Sequence, residues 1–598
     1  MSIKQFGAVG DGITDNKLAL DKASLLGEHL IVPEGVFGTT GKHTFTAGMS
    51  GYGGDLSKIV NLDIDNLSTG WVVTFSGLTN GDFVQDVEFD GQCSSLAGVA
   101  NQDPVWSSLN YNTWYGASAV RFTQCSDITI RNIVAKNSAA GAAVRLDSCD
   151  YVSLIGCYSD RARGNFGDGF YSFAGLGIKF TNCRAYDFTR IGFVSEGNPT
   201  SARVSDRIYF SGCIAEYGHD QSANYGGGEY NVGFWAENTD DCGYVNCHSY
   251  DTSYSGFVYA PTTHTLGKQS SMCNYSGCTS VDSQNGFRVS TLSGTTSKVE
   301  AVYTGCSAKN ITTGFATSLV GVGSNCKLIY NGCSTFVSNG ADLNSASFFL
   351  DGVAGTTIYA SINNCIADWN TTSEFSNTSA NSADVTQFSS GATRHLNITN
   401  LRNLTGETCI KLRQTSVNSS YAITNMPNPT YIYMASTVRL DSISIVNSMV
   451  YGQFASAIAN FTKASIKAGS ALIVYNSEMY GDMSIINSIL TIYQIAGILE
   501  TKRVISNLDI HMERDVATDD FGISIQCEQV IKPTFVINGS FYNSGAPAAV
   551  GKNFVNVIRA NTGLYTTGVL KDDTVPNMYR IVSTPSNFTT AQQNITMH

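Results

Sequence analysis

A short cysteine motif recurs along the middle of this chain at nearly constant intervals. In each copy a glycine or an asparagine precedes the cysteine, and the copies stand about 30 residues apart, a period typical of solenoid repeats. The copies are Gly156-Cys157, Asn182-Cys183, Gly212-Cys213, Asn246-Cys247, Gly277-Cys278, Gly305-Cys306, Gly332-Cys333 and Asn364-Cys365. A chain with such repeats stacks similar units, each of which contacts its neighbours.

A second marker, glycine followed by phenylalanine, follows each of the first six copies. The markers are Gly169-Phe170, Gly192-Phe193, Gly233-Phe234, Gly256-Phe257, Gly286-Phe287 and Gly314-Phe315. Between them lie short alternating segments such as Ile178–Phe180 and Ile208–Phe210, which is typical of strands. We therefore predict an all-β protein built as a parallel β-helix, in which the repeat cysteines point into the core.

The cysteines do not indicate a metal site or a redox centre. None of the 16 cysteines forms a CxxC pair, so the spacing expected of zinc ligands is missing and no cofactor is expected. Four Asx residues, Asp187, Asp251, Asp282 and Asn310, each lie four positions after a repeat cysteine. Asx side chains suit stacked turns, so these four are interpreted as structural.

Composition supports this fold class and disfavours some classes of binding partner. Only 14% of the residues are charged, against about 25% in an average globular domain, which disfavours solvent-facing helices. A net charge of -12 argues against nucleic-acid binding. Polar residues interrupt the most apolar tract, 485–499, so no membrane insertion is expected. The first residues lack the apolar segment of a signal peptide, which predicts synthesis in the cytoplasm.

The N-terminal segment carries the most specific resemblance. The run from Phe6 to Asn16, a helical pattern through Leu26, and then Ile31 to Phe37 resemble the opening of the pectate-lyase-like superfamily. This resemblance implies a right-handed parallel β-helix with a short N-terminal capping helix. Leu18, Leu25 and Leu26 would form the apolar stripe of that helix, and Gly27 would end it.

Within that superfamily the chain is similar to bacteriophage tailspike depolymerases. The missing signal peptide, the rungs rich in Ser, Thr and Asn, and the long β-rich tail carry this resemblance. It implies a homotrimer of the virion tail that acts outside the cell on bacterial capsular or surface polysaccharide. The motif begins at Phe6. We therefore expect either a trimmed anchor domain or attachment of a short N-terminal peptide to another phage tail protein.

Three regions are predicted along the chain. Residues 1–110 would hold the cap and the first rungs, and residues 111–370 would form the central β-helix with the active-site groove. Residues 371–598 would form a β-rich C-terminal region for trimerisation, with carbohydrate binding as a further role, because Asn-Ser and Asn-Gly turns recur there between β-rich runs.

Strand alternation locates a candidate site. If each marker phenylalanine points inward, the residues one and three positions later point outward. One outer face then carries Arg145, Tyr171, Phe173, Glu196, Trp235, Glu237 and Arg288. Glu196 and Glu237 fall at equivalent positions of successive rungs, about 4.8 Å apart. Such a carboxylate pair can divide into one acid and one base for glycoside hydrolysis, while Trp235, Tyr171, Arg145 and Arg288 would bind sugar.

Other residues offer alternative chemistry. Asp168 and Glu229 are second candidates for the acid and base, although turn capping or solvation is the favoured interpretation of both. Arg161, Arg163, His219 and Tyr225 would bind substrate, since arginine suits the carboxylates of acidic sugars. With Arg145, they could also support β-elimination by a polysaccharide lyase. A non-catalytic glycan-binding adhesin is the third interpretation.

Overall fold

The computed structural model describes most of the first 454 residues and the strands beyond them. The described residues are 1–63, 71–92, 118–139, 141–163, 167–198, 205–218, 231–261, 271–291, 298–337, 346–369, 383–387, 392–404, 408–412, 419–428, 430–434 and 439–454, followed by the later strands named below. Contacts divide the chain into two units, Met1–Gly321 and Val322–His598.

The first unit begins with a 3-10 helix, Ile3–Phe6, and one α-helix, α1, Lys17–Ser24. Its strands in the described residues are β1 Asp11–Asp15, β2 Leu30–Ile31, β3 Gly35–Thr39, β4 His43–Phe45, β5 Met49–Ser50, β6 Ser57–Asn61, β7 Trp71–Ser76, β8 Phe83–Gln85, β9 Glu88–Asp90, β10 Ser118–Thr123, β11 Thr129–Arg131, β12 Val134–Ala139, β13 Val144–Asp147, β14 Ser153–Ile155, β15 Tyr158–Arg163, β16 Phe170–Phe173, β17 Lys179–Thr181, β18 Arg184–Phe188, β19 Ile191–Glu196, β20 Ile208–Ser211, β21 Ile214–Gly218, β22 Val232–Glu237, β23 Asp241–Val245, β24 His248–Thr252, β25 Ser255–Ala260, β26 Ser271–Ser276, β27 Thr279–Thr291, β28 Lys298–Thr304 and β29 Ser307–Leu319.

The described strands of the second unit continue to the end of the chain. They are β30 Asn325–Asn331, β31 Ser334–Val337, β32 Ala346–Gly352, β33 Thr357–Asn363, β34 Ile366–Trp369, β35 Ala383–Gln387, β36 Thr393–Thr399, β37 Arg402–Asn403, β38 Thr408–Leu412, β39 Ser420–Thr424, β40 Thr430–Met434, β41 Arg439–Val446, β42 Met449–Phe454, β43 Asn460–Lys467, β44 Ala471–Tyr475, β45 Gly481–Ile486, β46 Ile489–Gln494, β47 Val504–Arg514, β48 Gly522–Cys527, β49 Thr534–Asn543, β50 Val555–Arg559, β51 Thr567–Lys571, β52 Tyr579–Ser583 and β53 Asn594–Met597.

Most rungs of the first unit contain three short strands, and each strand pairs in parallel with its equivalent in the next rung; in the last rungs the long strands β27 and β29 each take the place of two. For example, β13 pairs with β16, β14 with β17, and β15 with β18. We call β16, β19, β22 and β25 the marker strands, because they carry the Gly-Phe marker. This arrangement confirms the predicted fold class, an all-β parallel solenoid.

Two stacks of aromatic rings fill the solenoid of the first unit. The rings of the marker phenylalanines lie 4.7 to 5.0 Å apart, centroid to centroid, and are 0–1% exposed; they are Phe170, Phe193, Phe234, Phe257, Phe287 and Phe315. The second stack holds Phe180, Phe210, Tyr244, Tyr275 and Tyr303. The ring spacing matches the strand spacing of about 4.8 Å, so each rung adds one layer to both stacks.

The backbone conformation explains why glycine or asparagine precedes each repeat cysteine. Its φ is positive in all eight copies, between 49° and 63°, a conformation that glycine adopts freely and asparagine tolerates. The cysteine that follows is buried and carries a free thiol in every copy. The Cys183 Sγ, for instance, donates to the Leu154 carbonyl of the preceding rung at 3.6 Å. These cysteines therefore point inward, as predicted.

The Asx residues four positions after the cysteine occupy a second left-handed turn. Asp187, Asp251, Asp282 and Asn310 have φ values between 51° and 57°. The Asn310 side chain also donates a hydrogen bond to Asp282 on the preceding rung. Their predicted role in a stacked turn is confirmed.

The capping helix presents a different face from the one predicted. Helix α1 buries Ala19, Leu20 and Ala23, whereas Leu18 is 74% and Leu25 is 85% exposed. Asn16 at the helix start donates to the Gly38 carbonyl at 3.0 Å and accepts from the Val9 amide at 2.6 Å. This anchoring orients the small-residue face towards the core, so the prediction of a leucine stripe was wrong.

The second unit repeats the parallel construction although its sequence markers fade. Parallel pairing runs on through β51 and β53, where Leu570 lies opposite Met597. Left-handed asparagines recur at Asn400, Asn425 and Asn447, each followed by a residue other than cysteine. The β-rich C-terminal region is therefore built from rungs whose turn residue is kept and whose cysteine is replaced. In the described residues, neither helix is long and apolar enough to cross a membrane.

Candidate active site

The marker strands place two rows of side chains on their outer face. The first row runs through Tyr171, Val194, Trp235 and Val258, which lie opposite one another on β16, β19, β22 and β25. The second row, two residues further along each strand, runs through Phe173, Glu196, Glu237 and Ala260. The register prediction is confirmed: Glu196 lies opposite Glu237 on the neighbouring strand.

Both glutamates are half-buried, and each accepts a hydrogen bond from a neighbouring aromatic side chain. The Tyr171 hydroxyl donates to Glu196 Oε2. The Trp235 indole nitrogen Nε1 donates to Glu237 Oε2 at 3.1 Å. The half-buried rings of Phe173 and Trp235 stand beside the two carboxylates. The arrangement joins two acid–base groups to the flat apolar surfaces that sugars pack against.

A buried ion pair lies behind Glu196. Arg190 Nε donates to Asp168 Oδ1 at 2.9 Å, and Asp168 is only 1% exposed. Burial raises the pKa of the Asp168 carboxyl above its usual range, while the Arg190 charge acts in the opposite direction. The charge of Glu196 also acts on both members of the pair. Asp168 is thus a buried partner of Arg190 and not an exposed carboxylate.

Arg190 is not among the residues predicted from the sequence. It lies just before Gly192 on the rung that follows Asp168, close to the position that Asp168 holds before Gly169. A search for opposite charges at the entry of successive marker strands would have found this pair. The loop before the marker strand therefore supplies charge to the site, and the strand itself supplies the glutamates.

Two predicted sugar-binding residues are buried. Tyr171 is 1% and Arg145 is 8% exposed, so the expectation that both meet solvent was wrong. The Arg145 guanidinium lies 4.8 Å from the centroid of the Tyr171 ring and donates to Asp147 Oδ1 at 2.8 Å. Burial raises the pKa of the Tyr171 hydroxyl, which therefore stays protonated as a donor to Glu196.

The outer face is apolar around these groups. A cluster of buried side chains covers it, namely Ala142, Tyr171, Ile191, Val194, Val232, Val258 and Ala260. Several side chains that point outward on this face are therefore buried. Solvent reaches this face at Phe173, Trp235 and the two glutamates, all of which are half-buried.

The remaining predicted site residues lie in line with the first row, on β15, or outside the described residues. Arg288 lies opposite Val258, in line with the first row, and its guanidinium is 5.2 Å from the centroid of the Tyr254 ring. Arg161 lies on β15 and pairs with Asp160 of the same strand at 3.4 Å. The Arg163 backbone ends β15, and its side chain is outside the described residues. His219, Tyr225 and Glu229 also lie outside the described residues.

Comparison with solved structures finds parallel β-helix proteins at low sequence identity. An N-terminal fragment of gene product 12 from bacteriophage Phi29 is 12% identical, covers 91% of each chain and has a TM-score of 0.41. The Dettilon tailspike protein gp208 is 13% identical and covers 66% of each chain, with a TM-score of 0.42. An exopolygalacturonase from Thermotoga maritima is 12% identical over 80% of this chain and 87% of its own, with a TM-score of 0.28. No protein-family profile and no curated protein matches the sequence.

Proposed function

We propose that this protein is a depolymerase that hydrolyses glycosidic bonds in bacterial capsular or other surface polysaccharide. The observation that carries the proposal is the register of Glu196 and Glu237, two half-buried carboxylates on adjacent strands beside Phe173 and Trp235. Like charges directly opposite each other on neighbouring strands destabilise a sheet. The position of this pair next to aromatic rings favours catalysis.

The pair suits the double-displacement route. The backbones of neighbouring strands stand about 4.8 Å apart, which allows the two carboxyl groups to take the separation of roughly 5 Å found in retaining glycosidases. In this route the Glu196 carboxylate attacks the anomeric carbon while Glu237, as the acid, protonates the leaving oxygen. Glu237 then removes a proton from water, which displaces the sugar from Glu196 and restores both groups.

The surroundings of Glu196 support its role as the attacking group. The Tyr171 hydroxyl orients its carboxylate, and the Arg190 cation lies near enough for its charge to act on Glu196. A neighbouring cation attracts a carboxylate and helps to hold it in position. Arg190 is itself held by Asp168, so these residues position the nucleophile without contacting substrate.

The described residues give the lyase interpretation less support, and the side chains of three of its five candidates, Arg163, His219 and Tyr225, lie outside them. A lyase needs a base and a cation that can reach the sugar, but Arg145 is buried and bonded to Asp147. Arg161 is paired with Asp160. The half-buried glutamates are the better-placed groups, and hydrolysis is the reaction that they serve.

The biological setting is part of the same proposal. The resemblance of the chain to tailspike depolymerases, which rests on its rung composition and its long β-rich tail, implies a homotrimer on a phage tail, acting outside the host cell. Attachment through the N-terminus to another tail protein belongs to this proposal as well.

Mass spectrometry of digests of purified bacterial capsular polysaccharides tests the reaction. Hydrolysis yields oligosaccharides that have gained one water at each cleaved bond. Products carrying an unsaturated uronate, with their ultraviolet absorbance, would replace the hydrolase proposal by a lyase. Polysaccharide of unchanged length across a panel whose members the protein binds would identify an adhesin and reject catalysis.

A further inference from the structure

The second unit carries a groove on the outer face of five paired strands. It has a volume of about 510 Å³ and crosses β30, β33, β36, β39 and β41. One row of its lining is Lys327, Tyr359, His395 and Ser420, and the adjacent row is Ile329, Ser361, Asn397, Ala422 and Ser444. Its volume is within the range of small-molecule sites.

A rigid pair of rings forms one wall of the groove. The Tyr359 and His395 rings stack with centroids 4.7 Å apart and planes within 17° of each other. His395 Nδ1 lies 2.7 Å from Ser420 Oγ, which holds the imidazole in place. Tyr359 is nevertheless 48% exposed. Aromatic side chains that are rigid and exposed can bind a ligand with little loss of conformational entropy.

The floor beside this wall offers small polar groups on three of its five strands. Ser361, Asn397 and Ser444 present hydroxyl or amide groups on separate rungs, and successive rungs are about 4.8 Å apart. Such a ladder across the strands matches an extended chain with repeating hydroxyl groups. The lining holds Lys327 and His395 but neither aspartate nor glutamate, although the whole chain has a net charge of -12.

We propose that this groove is a second glycan-binding site, which takes an extended oligosaccharide of neutral or acidic sugars without cleaving it. Tyr359 and His395 provide the packing surface, and Ser361 and Asn397 provide hydrogen bonds to sugar hydroxyls. The choice of a bacterial surface glycan as ligand rests on the function proposed above. The fit of the groove to a polyhydroxylated chain is independent of that function.

Affinity electrophoresis through gels that contain purified capsular polysaccharides tests the site. The parent for these gels is the full chain carrying Glu196→Gln and Glu237→Gln, which leaves the polysaccharide intact. Tyr359→Ala should weaken retardation about tenfold, as expected for a central aromatic contact. Asn397→Trp, at an exposed position, should do the same by filling the groove. Tyr250→Ala is the matched control, because Tyr250 is 37% exposed and stacks on His248 elsewhere.

The outcomes separate this site from the proposed active site. If the wild-type protein cleaves no polysaccharide but both groove variants lose retardation, the groove stands and the hydrolase proposal falls. If cleavage occurs and folded Tyr359→Ala and Asn397→Trp are retarded like their parent, the groove inference is overturned. A changed sedimentation coefficient with unchanged retardation would also overturn it, and would assign the groove to subunit contact.

Discussion

At the scale of single residues, two glutamates with different neighbours share one register. Glu196 accepts from Tyr171 and lies near Arg190, whereas Glu237 accepts from Trp235. This asymmetry gives two chemically similar groups separate environments, which is the condition for one to attack while the other donates a proton. The catalytic proposal therefore depends on both side chains individually.

Glu196→Gln and Glu237→Gln should each lower the rate of polysaccharide cleavage by roughly a hundredfold or more, because each removes a positioned acid or base. The two losses should not add fully in the double variant, since the pair acts as a unit. Reducing-end assays and thermal melts measure activity and folding together. Glu216→Gln is the control, because Glu216 pairs with Arg184 on a different strand set. Full activity in both single variants would place the chemistry elsewhere.

At the scale of elements, left-handed backbone positions recur in the rungs, and one of them precedes each repeat cysteine. In one rung this position is Gly305, where φ is +61° and no atom beyond its chain neighbours lies within 4 Å of the place that a β-carbon would take. Substitution there changes backbone strain without a steric clash. The turn can therefore be tested separately from the packing of the core.

Gly305→Ala should lower the free energy of unfolding by about 1–2 kcal/mol, the cost of a left-handed conformation for a residue with a β-carbon. Gly305→Asn should cost less, because asparagine occupies the same position at Asn246 and Asn364. Urea unfolding followed by tryptophan fluorescence compares the two. Equal stability of the Ala and Asn variants would show that conformation does not select the residue at this turn.

The N-terminal cap contains a pH-sensitive contact. His43 is buried, with Nδ1 3.0 Å from Asp21 Oδ1 and Nε2 2.6 Å from Thr39 Oγ1. Burial lowers the pKa of His43. The charge of Asp21 acts in the opposite direction and only partly offsets this shift, whereas the charge of Lys17 lowers the pKa further. The folded-state pKa of His43 lies below the unfolded value of about 6.5. The contribution of neutral His43 to the stability of the folded state is therefore complete above that pH and is lost as the pH falls through the folded-state pKa.

Hydrogen exchange in β4 should therefore accelerate as the pH falls below about 6.5, after correction for the intrinsic pH dependence of exchange. The variant His43→Gln, which does not titrate, should flatten this dependence. The lowered pKa values of Asp15 and Asp21 add a loss in the same direction at lower pH. Equal hydrogen-exchange protection of β4 above and below the titration of His43 would contradict the assignment of this pH dependence to His43.

At the scale of the whole molecule, a solenoid has open flanks and ends that require cover. Subunits packed around a threefold axis can provide it. The homotrimer remains a prediction of the sequence resemblance. Sedimentation equilibrium at micromolar concentration should give three times the chain mass of 64.0 kDa, and the trimer should resist heating. A stable monomer at that concentration would reject the prediction.

The direction of the side chains could be predicted from the sequence, because strand alternation and the Gly/Asn-Cys repeat are local and periodic. The inward phenylalanines and cysteines, the left-handed turns and the pairing of Glu196 with Glu237 all follow from that period. Which outward residues meet solvent could be read only from the folded chain. Tyr171 and Arg145 point outward yet are buried, and Arg190 reaches Asp168 from the next rung. Burial and ion pairing depend on packing between segments far apart in sequence, which a local period does not encode.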